Sequence, residues 1–211
     1  MKKKVVIIDY GLGNIVSAQQ SFTKVAYENN FDAEVIITSN PSEIKKSTHI
    51  ILPGQGAFKS CIEGLRNIPG MIEALEESVI KNKIFFLGIC VGMQLLADAG
   101  FENGKHLGLG WISGSIKKME VENLKLPHMG WNNVKIKENS AKMKFNTKNK
   151  DFYFVHSYFF DCSNKANIIG TTNYGIDFTS IVAKENIYGV QFHPEKSSDQ
   201  GLELIRDFLL L

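Results

Sequence analysis

The sequence predicts an α/β protein with an open, mostly parallel sheet flanked by helices and a smaller, partly antiparallel portion. In the first half, short β-branched apolar runs alternate with segments of helical period, which is typical of strand–helix units around a parallel sheet. In the second half, short apolar stretches alternate with Gly, Pro and Asn, which favours shorter antiparallel strands. The 211 residues contain no repeat and no low-complexity linker, so one domain spanning 1–211 is expected.

The first half contains four predicted strands and three predicted helices. Buried parallel strands read as continuous apolar runs, and such runs end in glycine turns at both Gly11 and Gly54. Apolar residues recur at helical spacing after Gly13, and Pro69 stands where the first turn of a helix tolerates it. The strands are expected at Lys3–Gly11, Ala33–Thr38, Thr48–Gly54 and 84–89, and the helices at Asn14–Tyr27, Pro69–Lys83 and Cys90–Ala99, the last closed by Gly100.

The second half is predicted to hold short strands and one final helix. Gly110–Ile136 carries the short strands, and the lysine-rich segment Lys135–Asp151 is expected to be a solvated loop. Phe152–Phe160 is apolar enough to be one buried strand. A further strand begins at Ile187 and runs into a turn, after which 197–200 reads as a capping box that starts a helix through Leu210.

Composition excludes several classes of protein. A net charge of +2, with 44% hydrophobic and 22% charged residues, gives no strong field for nucleic acid or an anionic membrane. The apolar run Val5–Ile8 is too short for a signal peptide or a membrane span, so a cytoplasmic protein is expected. Gly11 and Gly13 begin a dinucleotide-binding pattern, but Val16 occupies the position of its third glycine.

The cysteines do not form a disulfide or metal framework. There are three of them, an odd number, and they are widely spaced at Cys61, Cys90 and Cys162. No cluster of ligands has the spacing of a metal site, so no metal or organic cofactor is expected.

Cys90 stands where a predicted strand turns sharply into a predicted helix. Gly88 and Gly92 frame it, which matches the G-x-nucleophile-x-G elbow. The turn lifts the side chain above the sheet, and free N–H groups at a helix start favour a thiolate and a developing oxyanion. Cys61 and Cys162 have no such frame and are interpreted as buried small hydrophobes.

A thiol with an ordinary pKa of about 8.5 is mostly protonated at neutral pH and needs a base. Of the five histidines, His193 is the best candidate, because it ends a predicted strand on the side of the sheet where Cys90 lies. Glu195 stands two residues on, so in extended chain its carboxylate can orient the imidazole, while Pro194 fixes the backbone between them. His156 lies inside an aromatic run and is interpreted as a satisfied core histidine.

Two backbone segments are candidates for an oxyanion hole. The N–H of Val91 follows the nucleophile directly, and the segment "LPGQGAF" ends another predicted strand with two glycines. Backbone N–H groups around Gly54 and Gln55 are therefore predicted to face the substrate, with Gly56 beside them.

The segments "PGQGAF", "GICVGMQLL" and "VQFHPEKS" together resemble the class I (triad) glutamine amidotransferases over nearly the whole chain. Within that class, "DYGLGN", "LPHMGWN" and "FYFVHSY" are similar to the HisH-type glutaminase subunits of imidazole glycerol phosphate synthase, in histidine biosynthesis. Gln55 replaces a usual valine, and Val16 stands where many chains of that type carry arginine.

The resemblance implies a reaction and a partner. Cys90 would attack the side-chain amide of L-glutamine to give a glutamyl thioester and ammonia, with His193 as base and acid in turn. Ammonia would pass to a HisF-type (β/α)8 cyclase in a heterodimer. By the same resemblance, substrate-binding residues are Gln94, Gly56, Ser157 and Tyr158, and partner-interface residues are Asn14, Trp131, Tyr153 and Lys196.

Two other functions stay open at this level. HisH-like paralogues supply ammonia to barrel partners that make amidino sugars for surface polysaccharides. A cysteine hydrolase of another kind would use the same Cys90 but would not need Gln94. A binding module without catalysis is disfavoured, because it has no use for Cys90, His193 and Glu195 together.

Overall fold

The computed structural model describes residues 2–137, 143–144 and 150–211. Its first half is a parallel α/β unit, as predicted. Four parallel strands lie in the order β2-β1-β3-β4. The inner three are largely buried on both faces, which explains their continuous apolar sequences, whereas the edge strand β2 is only partly buried. The strands are β1 (Lys3–Ile8), β2 (Ala33–Thr38), β3 (His49–Gly54) and β4 (Phe85–Cys90).

Helices flank this unit. The first, α1 (Ile15–Glu28), buries Ala18, Phe22 and Val25, the stripe that its helical period predicts. The others are α2 (Pro41–Ile44), α3 (Phe58–Arg66), α4 (Met71–Leu75), α5 (Val91–Gln94) and α6 (Ser198–Leu209), and after α4 the chain continues as a π-helix over Glu76–Lys81. α1 packs against α6, whereas α3 packs against α4 and α5.

The second half extends the sheet with mainly antiparallel strands. The sheet order continues β4-β14-β13-β11-β7-β5-β6, with β12 paired to β13 and β9, while β8 and β10 form a separate antiparallel pair. The parallel pairing of β14 with β4 places the end of β14 beside the elbow at Cys90. These strands are β5 (Ala99–Gly100), β6 (His106–Leu107), β7 (Gly114–Lys118), β8 (His128–Asn133), β9 (Lys135–Ile136), β10 (Asp151–His156), β11 (Tyr158–Cys162), β12 (Ile168–Tyr174), β13 (Ile176–Lys184) and β14 (Ile187–Val190).

The predicted helix Cys90–Ala99 is wrong beyond Gln94. The carbonyls of Leu95, Leu96 and Ala97 accept hydrogen bonds from backbone N–H groups within 109–112 instead of continuing a helix. Ala99–Gly100 then pairs with β6 and β7 as a short strand. These partners are distant in sequence, so helical periodicity could not reveal them.

The predicted single strand Phe152–Phe160 is two strands that belong to different sheets. β10 pairs with β8, and after a break at Ser157 β11 pairs with β7 and β13. The long pair β12 and β13 was not predicted at all. Most of the predicted loop Lys135–Asp151 lies outside the described residues, although Lys135–Ile136 forms β9 and Met143 is buried.

The capping box at the start of α6 is also wrong. Ser197 makes no side-chain cap bond to the helix. Its hydroxyl instead donates to the His193 carbonyl at 2.6 Å and accepts the Tyr153 N–H at 3.0 Å. The serine therefore ties the segment that follows β14 to β10. Among the described residues, no helix is long and apolar enough to cross a membrane.

Candidate active site

Cys90 occupies a strained elbow at the end of β4. Its φ is +54° and its ψ is −113°, a combination that costs a non-glycine residue on the order of 1–3 kcal/mol. The backbone packs so closely there that a Cβ on Gly92 would lie 1.8 Å from the Leu52 carbonyl oxygen, and one on Gly88 would lie 2.5 Å from the Gly92 carbonyl oxygen. Only glycine fits at both positions, so the sequence enforces the turn that presents the thiol.

His193 and Glu195 form a buried pair beside the elbow. The imidazole Nδ1 lies 2.9 Å from Glu195 Oε1, and the two side chains are 4% and 3% exposed. His193 has extended backbone three residues after the end of β14, and the short 3₁₀ segment Pro194–Lys196 brings Glu195 back to the ring. Because Nδ1 is held by Glu195, Nε2 is the ring nitrogen left for chemistry; it is buried and has no hydrogen-bond partner among the described residues.

The surroundings of His193 favour its protonated form. Burial alone would lower the pKa of the imidazole, but the neighbouring Cys90 thiol and the Glu195 carboxylate raise that pKa to about 10. Close to neutral pH, the ring therefore holds a proton readily and can return it to a leaving group.

A cavity of about 250 Å³ opens over these groups. It is smaller than the roughly 300–1,000 Å³ typical of sites for drug-sized ligands, and thus suits a small polar substrate. Its walls come from the β3 turn, the elbow, the loop after β5 and the junction of β10 and β11. The lining residues are Gln55, Gly56, Cys90, Val91, Gln94, Glu102, Pro127, Val155, His156, Ser157, Tyr158 and His193.

The predicted oxyanion turn reaches this cavity only in part. Gln55 and Gly56 line it, and Gly56 has a φ of +102°, which suits glycine. Gly54 lies behind them within β3, where a Cβ would lie 2.6 Å from the Gly92 nitrogen. Gly54 therefore lets the elbow approach β3 closely, while Gln55, Gly56 and Val91 are the oxyanion candidates and neighbours that line the cavity.

Two buried glutamines connect the cavity wall to the nucleophile. Gln94 Nε2 donates to the Tyr158 carbonyl at 3.0 Å and to Gln191 Oε1 at 3.0 Å. Gln191 Nε2 in turn donates to Cys90 Sγ at 3.7 Å. Both amide hydrogens of Gln94 are therefore used, which leaves its Oε1 to accept from a ligand.

The four residues expected at a partner interface lie on neighbouring elements. α1 contacts the Pro194–Lys196 segment, that segment contacts β10, and β10 pairs with β8. Trp131 on β8 is 54% exposed and its ring packs edge-on against Tyr153 on β10. Asn14 stands at the start of α1, and Lys196 is exposed.

Sequence reasoning missed two residues of the site. Gln191 stands two positions before His193, and side chains two apart in a strand face the same way, so the alternation could have indicated it. Glu102 had no such signal, because it follows the segment wrongly predicted as helix. Its carboxylate accepts the Phe58 N–H at 2.8 Å and is half-buried at the cavity wall. Among the described residues, no group of three or more His, Cys, Asp or Glu side chains could hold a metal ion.

Comparison with known proteins agrees with this geometry. Residues 6–211 match the family described as glutamine amidotransferase class-I. The imidazole glycerol phosphate synthase subunit HisH of Pelagibacter ubique is 46% identical over 210 residues, covering 98% of this chain and 99% of that protein. The subunit of the same name from Brucella suis is 42% identical over 211 residues, with 98% of each chain covered.

Solved structures show the same fold at low sequence identity. A crystal structure titled glutamine amidotransferase aligns with a TM-score of 0.69 at 16% identity, covering 97% of each chain. A glutamine amidotransferase from Thermotoga maritima aligns with a TM-score of 0.65 at 16% identity, covering 99% of this chain and 97% of its own. The family match and the full-length relatives together establish that this chain is a class-I glutamine amidotransferase and belongs to the HisH family of imidazole glycerol phosphate synthase subunits.

Proposed function

We propose that the chain hydrolyses L-glutamine through a Cys90 thioester and supplies the ammonia to a HisF-type cyclase subunit in histidine biosynthesis. The observation that carries the proposal is the strained Cys90 elbow, which opens into the same small cavity as the buried His193–Glu195 pair. The names of the full-length relatives support imidazole glycerol phosphate synthase rather than an amidino-sugar pathway.

Before the substrate reacts, the proton of the Cys90 thiol passes to His193 Nε2, where the raised pKa of the imidazole holds it, and the sulfur is left as the nucleophile. The sulfur then attacks the side-chain carbonyl carbon of glutamine, forming a C–S bond and a tetrahedral intermediate. His193 returns the proton to the amide nitrogen as the C–N bond breaks, releasing ammonia and leaving a glutamyl thioester. Water, activated by His193, cleaves the thioester to give glutamate and the free thiol.

Glu195 orients the base during both half-reactions. Its Oε1 holds Nδ1–H, so the ring keeps the tautomer whose Nε2 can accept the thiol proton. Gln55, Gly56 and Val91 line the cavity, and their backbone N–H groups are the donors proposed for the developing oxyanion.

Other residues that line the cavity are suited to bind the amino-acid end of the substrate. Gln94 Oε1 is available to accept and Glu102 also lines the cavity, so these two side chains are the acceptors proposed for the α-ammonium group. Backbone groups of Ser157 and Tyr158 border the same region. This arrangement favours an α-amino acid over a simple amide and so distinguishes a glutaminase from other cysteine hydrolases.

The partner would dock on the surface formed by the start of α1, Lys196, β10 and β8. Trp131 projects from that surface with 54% of its side chain exposed, and exposed tryptophans are enriched among the residues that dominate protein interfaces. Direct transfer of ammonia to the partner makes chemical sense, because ammonia released into neutral water is protonated and loses its nucleophilicity.

The test is glutamate release from L-glutamine by the wild-type chain, with and without a HisF-type cyclase carrying its nucleotide ligand. We expect release that the cyclase stimulates strongly and that Cys90→Ser abolishes with the fold intact. Cys162→Ser is the matched control, because that thiol bonds the Asn164 carbonyl away from the cavity. Glutamate release by Cys90→Ser at the wild-type rate would remove Cys90 as the nucleophile, and a wild-type rate that ignores the cyclase would contradict the proposed partner.

A further inference from the structure

A chain of hydrogen bonds runs from β8 across β10 to the wall of the cavity. Asn132 Nδ2 lies 3.2 Å from His128 Nε2, and His128 Nδ1 lies 3.0 Å from His156 Nε2. His156 Nδ1 lies 2.9 Å from the Tyr158 carbonyl oxygen. His128 and His156 are 3% and 6% exposed, so these bonds are shielded from water.

The direction of every bond in this chain is fixed by its two ends. The Tyr158 carbonyl can only accept, so His156 carries its proton on Nδ1 and its Nε2 must accept. His128 Nδ1 must then be the donor to His156, which leaves His128 Nε2 as an acceptor.

The other end of the chain meets the same requirement. Asn132 Nδ2 also donates to the Asn173 carbonyl at 2.9 Å, and Asn132 Oδ1 accepts the Asn133 N–H at 2.8 Å, so the amide nitrogen faces His128. Both imidazoles are consequently neutral Nδ1–H tautomers, and a second proton on either ring would face another donor. Burial agrees, since it is the main cause that lowers the pKa of His128 to about 4 and that of His156 to about 3.

The Tyr158 carbonyl joins this chain to the substrate-binding amide. It accepts from His156 on one side and from Gln94 on the other. Gln94 gives its second hydrogen to Gln191, so the carbonyl that His156 holds helps to fix the amide and leaves its oxygen as the acceptor available to a ligand.

We propose that His128 is a positioning residue for glutamine binding, acting through His156 and the Tyr158 carbonyl to fix the amide of Gln94. This role accounts for His128 of the "HMGWN" segment, which is not among the residues that line the cavity. It rests on the proposed glutamine site, because the quantity it governs is the affinity of that site for L-glutamine.

The first test observes the tautomers directly. Nitrogen NMR of the full-length chain, labelled at histidine, should give neutral Nδ1–H signals for both His128 and His156 at pH 7.5. Free histidine prefers the Nε2–H form, so two buried Nδ1–H rings are a specific signature. An Nε2–H tautomer or a charged ring at either position would overturn the proposal, and this readout does not depend on any activity.

The second test separates hydrogen bonding from packing. The His128 ring stacks on Tyr174 at 4.1 Å between centroids and on Phe154 at 4.9 Å. His128→Phe keeps an aromatic ring there but loses the donor, whereas His128→Asn loses the ring but keeps an N–H close to the position of Nδ1. Affinity for L-glutamine is measured by calorimetry in a Cys90→Ala background, which prevents turnover.

We expect His128→Phe to weaken glutamine binding about tenfold, or about 1.4 kcal/mol, and His128→Asn to stay within about threefold of the background chain. His49→Phe is the matched control, a buried histidine at the far end of β3, and should leave the affinity unchanged. Any result in which His128→Asn binds no better than His128→Phe overturns the positioning role. Failure of the Cys90→Ala chain itself to bind glutamine would instead count against the proposed function.

Discussion

Cys90 illustrates how a single residue depends on its neighbours for reactivity. Its left-handed backbone is maintained because Gly88 and Gly92 allow main-chain contacts that no side chain could accommodate. The cost of that conformation is offset by the fully buried strands β3 and β4 around it. The sequence pattern indicated this strain correctly, because the glycine spacing is itself the sterically required feature.

Replacing Glu195 by glutamine should reduce the rate of glutamine hydrolysis by a factor on the order of 10²–10⁴, the range of general acid–base catalysis. The carboxylate helps to raise the pKa of His193, so its neutral replacement should lower that pKa and decrease the protonated fraction of the ring at any given pH. The pH profile of kcat/KM in the cyclase complex measures both effects.

In Glu195→Gln, we expect the apparent pKa of the thiol–imidazole pair to shift toward lower pH. Glu203→Gln, a change on α6, serves as the control and should leave the profile unchanged. A profile for Glu195→Gln that superimposes on that of the wild type would show that the carboxylate does not act on His193.

At the level of elements, the parallel strands were predictable because each carries its own signal. β1, β3 and β4 are largely buried on both faces, the edge strand β2 is partly buried, and each is a short, mostly apolar run, so a local window contains what defines it. β5, β6 and the break at Ser157 are defined by partners far away in sequence, and no local pattern records such partners. The triad was predictable for the same reason, because local patterns mark its residues. Glu102 carries no local signal, since the loop after β5 brings it to the cavity.

Ser197 connects two elements at the site rather than capping α6. Ser197→Ala should lower the free energy of unfolding by about 1–3 kcal/mol, because it leaves the part-buried Tyr153 N–H and the His193 carbonyl without their hydroxyl partner. It should also reduce kcat, since the same hydroxyl holds the carbonyl of His193. Urea unfolding and glutamate release measure the two effects on one sample.

Ser42→Ala on α2 is the matched control, because that side chain is exposed and should change stability by no more than about 0.5 kcal/mol. A residue that only capped α6 would contribute to the free energy of unfolding without affecting kcat. If Ser197→Ala were less stable but fully active, the bond to the His193 carbonyl would have no part in placing the imidazole.

At the scale of the whole molecule, the surface proposed for partner binding is formed by elements next to the active site. Trp131→Ala should weaken the complex with a HisF-type cyclase by about 2 kcal/mol or more, as expected when an exposed aromatic anchor is removed. Tyr27→Ala is the control, since Tyr27 is 84% exposed near the other end of α1. Titration calorimetry gives both affinities, and equal affinities would exclude Trp131 as an anchor.

Buried histidines make the fold sensitive to acid. Burial lowers the pKa of His49 from 6.5 to about 4, with the charge of Lys3 acting in the same direction. Between about pH 6.5 and pH 4, His49 therefore binds a proton in the unfolded chain but not in the folded chain. The stability that His49 contributes is lost as pH falls through this range. His128 and His156, whose pKa values are also lowered, likewise lose their contribution to stability as pH falls. His193 has the opposite effect: because its pKa is raised, its contribution to stability is present below about pH 6.5 and is lost as pH rises toward 10.

His49→Phe should remove one of these acid-sensitive terms without touching the active site. The free energy of unfolding of the variant should decrease less than that of the wild type between pH 7 and pH 5, by about 1–2 kcal/mol. Urea unfolding at the two pH values gives the difference, and any constant cost of the larger ring cancels in it. If the difference in free energy of unfolding between variant and wild type were the same at both pH values, His49 would titrate alike in the folded and unfolded chains. The acid sensitivity would then come from His128, His156 and the carboxylates.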